Sequence, residues 1–445
     1  MKNTHRITIL TLFILLIVSL SFVLSGCYAP SYKGVRDTYI NEDGELIITY
    51  TNGDKENLGV VVGQDGKDGK DGQDGEDGED GRDGSGSDVI INGSGQNISY
   101  ATSKAARSAV SVVASYNDVL HGQFASSGSG VIYKYDKKAD GYFIITNYHV
   151  VFDADCGISQ EIHVLLYGNE YQEGIMDAEY VGGSLSYDIA VLFVKNNDII
   201  KKSSAACVDV ADSNTVSIGD VAIAVGNARG EGISATSGVI SVDSETLEMT
   251  GADEKTAVKF RVMRTDASVN KGNSGGGLYN DKGELIGIVN AKIIVSGVEG
   301  IGYAIPSTLA VNIADNIIDN CFEQENTYVK RALLGITVSV SDSVSVYDAQ
   351  TGKISIVETI YVVEASSTNL FGEDIKANDV IKSIKLDGHD ELTVTRQFHV
   401  IDYLLQARLG DTGTLTVERE NEMGEKETVT LNFTITENAF NTPTL

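Results

Sequence analysis

The sequence feature that most restricts the fold of this chain is the order of three polar residues. They stand beside apolar, β-prone runs or in a glycine-rich turn: His149 after residues 142–145, Asp188 before residues 189–192, and Ser274 within residues 271–277. A serine hydroxyl becomes a good nucleophile only with a base beside it and N–H donors aimed at the oxyanion it creates. Each residue alone also fits a structural role, as a turn, a strand-end hydrogen bond or a strand cap. All three in this order predict a nucleophilic serine site.

The same order predicts the architecture. His, Asp, Ser is the order of the chymotrypsin-type double β-barrel and differs from that of subtilisin or the α/β-hydrolases. We therefore expect a mostly β fold with two six-stranded antiparallel barrels over residues 101–325 and the site between them. His149 acts there as the base, Asp188 holds its tautomer, and the N–H groups of Gly272 and Ser274 form the oxyanion hole.

Several motifs resemble HtrA/DegP-type trypsin-like serine proteases. They are Gly128-Ser129-Gly130-Val131-Ile132, Thr146-Asn147-Tyr148-His149-Val150-Val151, Asp188-Ile189-Ala190-Val191, residues 264–276 and Gly300-Ile301-Gly302-Tyr303-Ala304-Ile305-Pro306. The resemblance implies a serine endopeptidase that degrades unfolded or damaged proteins, needs no cofactor and forms a homotrimer. Two alternatives stay open: a binding or chaperone protein with weak proteolysis, and a dedicated signalling protease that cuts one partner.

Residues 326–445 resemble a PDZ domain, which is β-rich with one or two helices. Leu333, Leu334, Gly335 and Ile336 match the segment whose N–H groups receive a peptide C-terminus. A helix is expected from Thr395 to Arg408. His399 near its start is interpreted as a surface histidine, and a contact with a ligand side chain is the alternative. The resemblance implies that a groove beside this helix captures an extended peptide by β-addition.

The first residues resemble a lipoprotein signal. Lys2, His5 and Arg6 precede an apolar run that ends in Leu24-Ser25-Gly26-Cys27. Residues 1–27 are therefore interpreted as a signal peptide and lipobox, with lipid on Cys27; an uncleaved signal anchor is the alternative. Both place the rest of the chain at the cell membrane, facing the extracellular or periplasmic side.

Three short segments are expected between this signal and the barrels. Residues 28–62 predict a small β-hairpin unit, because Asn52-Gly53 favours a tight turn. Residues 63–84 form a Gly-X-Y tract, either a collagen-like triple-helical stalk or an extended, disordered spacer. Residues 85–100 are expected to be a flexible linker.

Charge and cysteine spacing exclude other classes of protein. The formal net charge of −29 disfavours binding to nucleic acid or electrostatic attachment to anionic lipid. Because no CxxC pair is present, neither a zinc site nor another metal is expected.

The sequence also suggests a substrate preference. The position at which digestive proteases carry a pocket carboxylate is Ser268, and the strand Ile286 to Ala291 resembles the pocket wall and is apolar. This pattern favours cleavage after valine, alanine or isoleucine in extended segments.

Overall fold

The computed structural model describes residues 35–41, 45–60, 94–118, 122–168, 174–230, 232–292, 300–323, 329–421 and 423–441. The predicted lipobox with Cys27, the Gly-X-Y tract and residues 85–93 of the predicted linker lie outside these residues. The chain divides into two compact units, residues 1–87 and 88–445. Within the described part of the chain, no helix is long and apolar enough to cross a membrane.

The described part of the first unit is a three-stranded antiparallel sheet in the order β1–β2–β3. Its strands are β1 (Val35–Ile40), β2 (Glu45–Tyr50) and β3 (Lys55–Val60). The predicted turn at Asn52-Gly53 joins β2 to β3, and Gly53 has a φ of 89°. Only glycine adopts such a conformation without steric cost, which explains its place in the turn. An isolated hairpin is marginal in water, and β1 supplies the third strand.

The second unit begins with helix α1 (Ser94–Ala106). The predicted flexible linker to residue 100 is therefore wrong over its last seven residues. Ala101 and Ala105 are buried in the core with Ile98 packed against it, at the spacing of one helical face. Burial of this face outweighs the weak helix propensity of the serine, glycine and asparagine that start the helix.

Six strands close the first barrel in the order β10–β11–β6–β5–β4–β9. The two short strands β7 and β8 pair with each other outside it. The strands of this region are β4 (Ala109–Asp118), β5 (Gly122–Asp136), β6 (Gly141–Thr146), β7 (Phe152–Asp153), β8 (Gly157–Ile158), β9 (Glu161–Leu166), β10 (Met176–Ser184) and β11 (Ile189–Lys195). The short helices are α2 (Tyr148–Val151) and α3 (Asp198–Lys202).

The second barrel closes in the order β12–β13–β14–β17–β16–β15. Its strands are β12 (Val221–Gly226), β13 (Ser234–Thr250), β14 (Ala257–Thr265), β15 (Gly277–Tyr279), β16 (Leu285–Val289) and β17 (Gly302–Pro306). The two closed barrels agree with the predicted architecture. Strands β13 and β14 form a long hairpin, closed at its tip by a 2.7 Å hydrogen bond from the Gly251 N–H to the Thr256 carbonyl.

Helix α4 (Ser307–Cys321) follows the second barrel. Leu309, Ile313, Ile317 and Cys321 recur on one face and are all buried in the core. Burial raises the pKa of the Cys321 thiol to about 11, as expected for a cysteine packed among apolar groups.

The C-terminal part is a six-stranded sheet with the path β19–β20–β21–β23–β24, and β22 pairs with β21. Its strands are β19 (Ile336–Asp348), β20 (Lys353–Ala365), β21 (Val380–Leu386), β22 (Leu392–Thr393), β23 (Thr412–Glu420) and β24 (Lys426–Thr434); β18 (Arg331–Ala332) pairs separately with β25 (Phe440–Asn441).

The helix predicted from Thr395 to Arg408 is shorter in the structure. Helix α5 covers His399–Tyr403, and a 3-10 turn covers Leu404–Gln406. The chain before α5 is held by β20 instead, because the Glu358 N–H donates to the Thr395 carbonyl at 2.8 Å and the Gln397 N–H to the Glu358 side chain at 2.7 Å.

Polar bonds join α5 to the barrels. Arg261 of β14 contacts the Asp402 carboxylate at 2.7 Å, and both side chains are buried. Asn312 and Asn316 of α4 donate to the carbonyls of Asp402 and Leu405 at 3.1 and 2.9 Å. Burial lowers the pKa of Arg261 and raises that of Asp402, and their mutual attraction opposes both shifts. A buried ion pair and two buried amide hydrogen bonds therefore attach the C-terminal part to the barrels and α4.

The prediction that His399 lies on the surface is wrong. Its side chain is only 7% exposed, and its ring lies 5.0 Å from that of Phe398, with Nδ1 3.2 Å from the Thr393 carbonyl. Burial lowers the pKa of the His399 imidazole from 6.5 to about 4, and the nearby Arg261 and Arg396 add to the shift.

We predict that replacing His399 weakens the pH dependence of stability. Since the folded protein binds fewer protons than the unfolded chain between pH 6.5 and about 4, the stabilisation is present above pH 6.5 and is lost as the pH falls toward 4. Thermal unfolding should show that the unfolding free energy falls less between pH 6.5 and 4 in His399→Asn than in the wild type, by on the order of 2 kcal/mol. His389→Asn, at an exposed histidine of the same sheet, is the control. Equal slopes for His399→Asn and the wild type would contradict the assignment.

Candidate active site

The turn that carries Ser274 connects β14 to β15 and requires glycine. Gly275 has a φ of 83°, and a side chain there would overlap the Ser129 carbonyl and the Thr146 hydroxyl. The Thr146 hydroxyl in turn donates to the Ser129 carbonyl at 2.7 Å. The glycine-rich sequence is thus explained by close approach of the first barrel to the turn.

Ser129 of β5 holds this turn from the first barrel. Its N–H donates to the Ser274 carbonyl and its hydroxyl donates to the Gly272 carbonyl, both at 2.7 Å. The hydroxyl also accepts the Asn227 N–H at 2.7 Å, and the residue is fully buried. The sequence singled out Ser129 only as part of a motif and missed this role. A polar residue between two glycines in an apolar strand was the available signal.

His149 and Asp188 are directly bonded. The His149 Nδ1 lies 2.7 Å from the Asp188 Oδ2, and the His149 backbone N–H donates to Oδ1 at 2.9 Å. Asp188 is buried and has a φ of 53°. The Asn147 side chain donates to the Asp188 carbonyl at 2.8 Å and helps to hold this conformation. A carboxylate at Nδ1 makes that nitrogen the donor, so Nε2 is the basic nitrogen.

A fourth residue, Asn290, contacts the carboxylate from the second barrel. Its Nδ2 donates to the Asp188 Oδ2 at 2.8 Å, and Asn290 is fully buried. Sequence reasoning placed Asn290 in an apolar pocket wall and missed this contact. The signal was an amide at the end of the otherwise apolar run of β16, since buried amides need partners.

Ser274 and His149 line one cleft of about 370 Å³ between the barrels. The Ser274 hydroxyl accepts the Ala291 N–H at 3.2 Å. Among the bonds of the described residues, none joins this hydroxyl to His149. Because catalytic hydrogen bonds are often long or misaligned before substrate binds, a turn of the serine side chain toward Nε2 is the step this arrangement requires.

The two N–H groups expected at the oxyanion hole are available. Gly272 and Ser274 are both buried, and Gly272 has a φ of 97°. In the described part of the chain, neither backbone N–H donates to a protein acceptor. Two unpaired N–H groups beside the serine provide the donors that a developing oxyanion needs.

The tip of the β13–β14 hairpin forms part of the cleft wall through Ala252 and Glu254. Lys292 reaches it, since its Nζ donates to the Gly251 carbonyl at 3.0 Å. The tip also lies near the first barrel, where burial and the Asp253 carboxylate raise the pKa of Tyr148. The cleft is therefore bounded by both barrels and this hairpin.

The predicted apolar pocket wall is not where the sequence suggested. Ile286, Ile288 and Val289 are at most 1% exposed and pack in the barrel cores. Of this strand segment, Ala291 lines the cleft, and Lys292 follows it. Both faces of β16 are buried, so its apolar side chains pack inside the barrel instead of lining the cleft.

The segment Leu333 to Ile336 lies in the C-terminal part, remote in sequence from the serine. Gly335 has a φ of 74°, and a side chain there would meet the backbone of Asn369. The Leu333 N–H is already bonded to the Ala439 carbonyl at 2.8 Å, so it is not available to a ligand. The N–H groups of Leu334 and Gly335 have no protein acceptor within the described residues.

The described residues contain no group of three or more His, Cys, Asp or Glu side chains that is placed to hold a metal ion.

Comparison with known proteins identifies the family. Residues 128–288 match the trypsin-like peptidase domain. The serine protease Do-like HtrA of Lactococcus lactis subsp. cremoris (strain MG1363) is 32% identical over 319 residues, which are 69% of this chain and 71% of that protein. The chain belongs to the HtrA-type family of serine proteases. The serine protease Do-like HtrB of Bacillus subtilis (strain 168) is 33% identical over 315 residues, or 69% of this chain and 62% of that protein.

A further HtrA-type relative is the periplasmic pH-dependent serine endoprotease DegQ of Escherichia coli (strain K12). It is 36% identical over 264 residues, which are 59% of this chain and 50% of DegQ. The match thus spans about three fifths of HtrB and half of DegQ.

We predict that Asn290→Leu lowers kcat/KM by about 10- to 100-fold, because it removes a donor from a buried carboxylate without changing the side-chain volume greatly. Asn290→Thr keeps a hydroxyl donor and should retain more activity. A folded Asn290→Leu protein with the wild-type kcat/KM would contradict this role.

Proposed function

We propose that this HtrA-type protein is an endopeptidase in which Ser274 is the nucleophile, His149 the general base and Asp188 its partner. The observation that carries the proposal is the buried Asp188 carboxylate, which lies 2.7 Å from the His149 Nδ1. His149 and Ser274 line the same cleft. The two unpaired N–H groups of Gly272 and Ser274 complete the set that acyl transfer needs.

The acylation step follows from these positions. The Ser274 Oγ attacks the carbonyl carbon of the scissile peptide while the His149 Nε2 takes the hydroxyl proton. The negative charge that develops on the carbonyl oxygen is stabilised by the Gly272 and Ser274 N–H groups. As the tetrahedral intermediate collapses, the imidazolium gives its proton to the leaving amine, and the C–N bond breaks to leave an acyl-enzyme. Asp188 stabilises the imidazolium throughout and is not itself protonated.

Deacylation repeats the same chemistry with water. His149 removes a proton from the water that attacks the ester carbonyl, and returns it to the Ser274 Oγ as the ester bond breaks. Ser129 contributes indirectly, because its bonds to the carbonyls of Gly272 and Ser274 fix the backbone that carries the oxyanion donors.

The substrates are extended segments of unfolded or damaged proteins. A cleft of about 370 Å³ between two barrels and a hairpin admits a single extended chain rather than a folded domain. The family relatives DegQ and HtrA are named as proteases, which supports a polypeptide substrate.

The C-terminal sheet is a PDZ domain that receives a peptide C-terminus at Leu334, Gly335 and Ile336. The unpaired N–H groups of Leu334 and Gly335 support this site, because backbone N–H groups in a turn favour a carboxylate. The peptide continues alongside β19, which is the edge strand of the sheet. Leu333 contributes a partly exposed side chain but not its N–H.

The protein acts on the extracellular or periplasmic side of the membrane, held by lipid on Cys27, and assembles as a homotrimer. The lipobox-like sequence before Cys27 supports the anchor. The relative DegQ is named periplasmic, which agrees with an extracytoplasmic site of action.

We predict that Ser274→Ala lowers the rate of hydrolysis of a denatured protein substrate by on the order of 10⁴- to 10⁶-fold, because it removes only the nucleophilic hydroxyl. Circular dichroism and thermal unfolding should be unchanged. Ser204→Ala, at an exposed serine away from the cleft, is the matched control and should hydrolyse normally. Near-wild-type turnover by Ser274→Ala would rule out the proposed mechanism.

A further inference from the structure

The catalytic cleft contains lysine side chains whose positive charges are not paired with its acids. Besides His149, the cleft is lined by two lysines, Lys271 and Lys292, and two acids, Asp153 and Glu254. Both lysines are exposed. A chain with a net charge of −29 therefore places two cations at its reaction site.

Among the residues that the structure describes, neither lysine has a carboxylate partner. Within the described ranges, no Asp or Glu oxygen lies within 4.0 Å of the ammonium of Lys271 or Lys292. The Lys292 Nζ instead donates to the carbonyl of Gly251 at 3.0 Å. A carbonyl leaves the positive charge uncompensated and leaves two of the three ammonium donors unused.

The two acids of the cleft differ in the hydrogen bonds that their carboxylates accept. The Asp153 Oδ1 accepts the N–H groups of Asp155 and Cys156, both at 3.0 Å. Glu254 has a φ of 59° and shares the hairpin tip with Gly251. Glu254 is therefore the cleft acid that belongs to the same hairpin tip as the carbonyl bound by Lys292.

Lys292 directly follows the second-barrel segment that contacts the reacting groups. Asn290 binds Asp188, the Ala291 N–H contacts the Ser274 hydroxyl at 3.2 Å, and Lys292 follows. A substrate bound for attack by Ser274 must pass this segment. The buried side chains of Ile286, Ile288 and Val289 are not available to contact it.

We propose that Lys292 is a specificity residue that favours substrates with an acidic side chain beside the scissile bond. The inference rests on the proposed endopeptidase function and deepens it. A substrate carboxylate takes the unused donors of the Lys292 ammonium, with Lys271 adding to the positive potential, whereas a basic side chain meets two like charges. This charge preference is separate from the preference for valine, alanine or isoleucine expected from the sequence.

The test compares matched fluorogenic decapeptides that differ only by Glu or Gln at one position. The substituted position moves from three residues before to three residues after the scissile bond, and rates are normalised by active-site titration. At low salt the wild type should show a Glu-to-Gln ratio of kcat/KM of about 3 to 10 at one of these positions. High salt should reduce the ratio, because exposed charges are screened.

Variants locate the effect. Lys292→Gln keeps a donor for the Gly251 carbonyl but should bring the ratio to about 1, and Lys292→Arg should preserve it. Glu254→Gln should raise the ratio, because it removes the opposing carboxylate. Lys137→Gln, at an exposed lysine on the turn between β5 and β6, makes the same change in net charge and should leave the ratio as in the wild type.

Two results would overturn the inference. One is an active wild type that cleaves the Glu and Gln peptides equally at every position, which would leave the proposed protease function intact. The other is a ratio that persists in Lys292→Gln. A wild type that cleaves none of the peptides and no denatured protein would instead overturn the proposed function together with the specificity that rests on it.

Discussion

The buried carboxylate of Asp188 is the group on which the arrangement of both barrels depends. An ionised carboxylate away from water is costly unless each oxygen is bonded. Here Oδ1 accepts the His149 N–H, and Oδ2 accepts both the His149 Nδ1–H and the Asn290 amide. Since Asn290 follows a strand of the second barrel, the requirement to solvate this charge also fixes one barrel against the other. The same hydrogen bonds to the Asp188 carboxylate therefore serve both the chemistry of the site and the packing of the barrels.

A second set of buried polar groups attaches the C-terminal sheet. Arg261 and Asp402 form an ion pair that joins β14 to α5, and Phe398 lies under the Arg261 guanidinium at 4.0 Å from the ring centroid. Removing one partner of such a pair is much more costly than replacing both, because an unpaired charge remains buried. Arg261 belongs to the same hairpin whose tip, at Gly251, forms the cleft wall. The C-terminal sheet and the cleft that Ser274 lines are thus both connected to one structural element, the β13–β14 hairpin.

The sequence predicted the parts of this structure that depend on local pattern. The apolar β-prone runs, the glycine-rich turn and the order of His149, Asp188 and Ser274 indicated the two barrels. It failed where tertiary contacts decide. The start of α1 depends on burial of Ala101 and Ala105 rather than on propensity, and α5 is shortened because β20 binds the preceding residues. Asn290 and Ser129 act through partners distant in sequence, so their positions alone did not reveal their contacts.

The central claim is that His149 and Asp188 make Ser274 the nucleophile of the cleft. The most direct measurement is peptide mapping by mass spectrometry after reaction of the protein with a fluorophosphonate probe, beside His149→Ala treated in the same way. A single adduct on the peptide that contains Ser274, with labelling lost in His149→Ala, is the result we expect, because a phosphonate reacts only with an activated serine. An adduct on a different serine, or equal labelling of Ser274 in His149→Ala, would contradict the account.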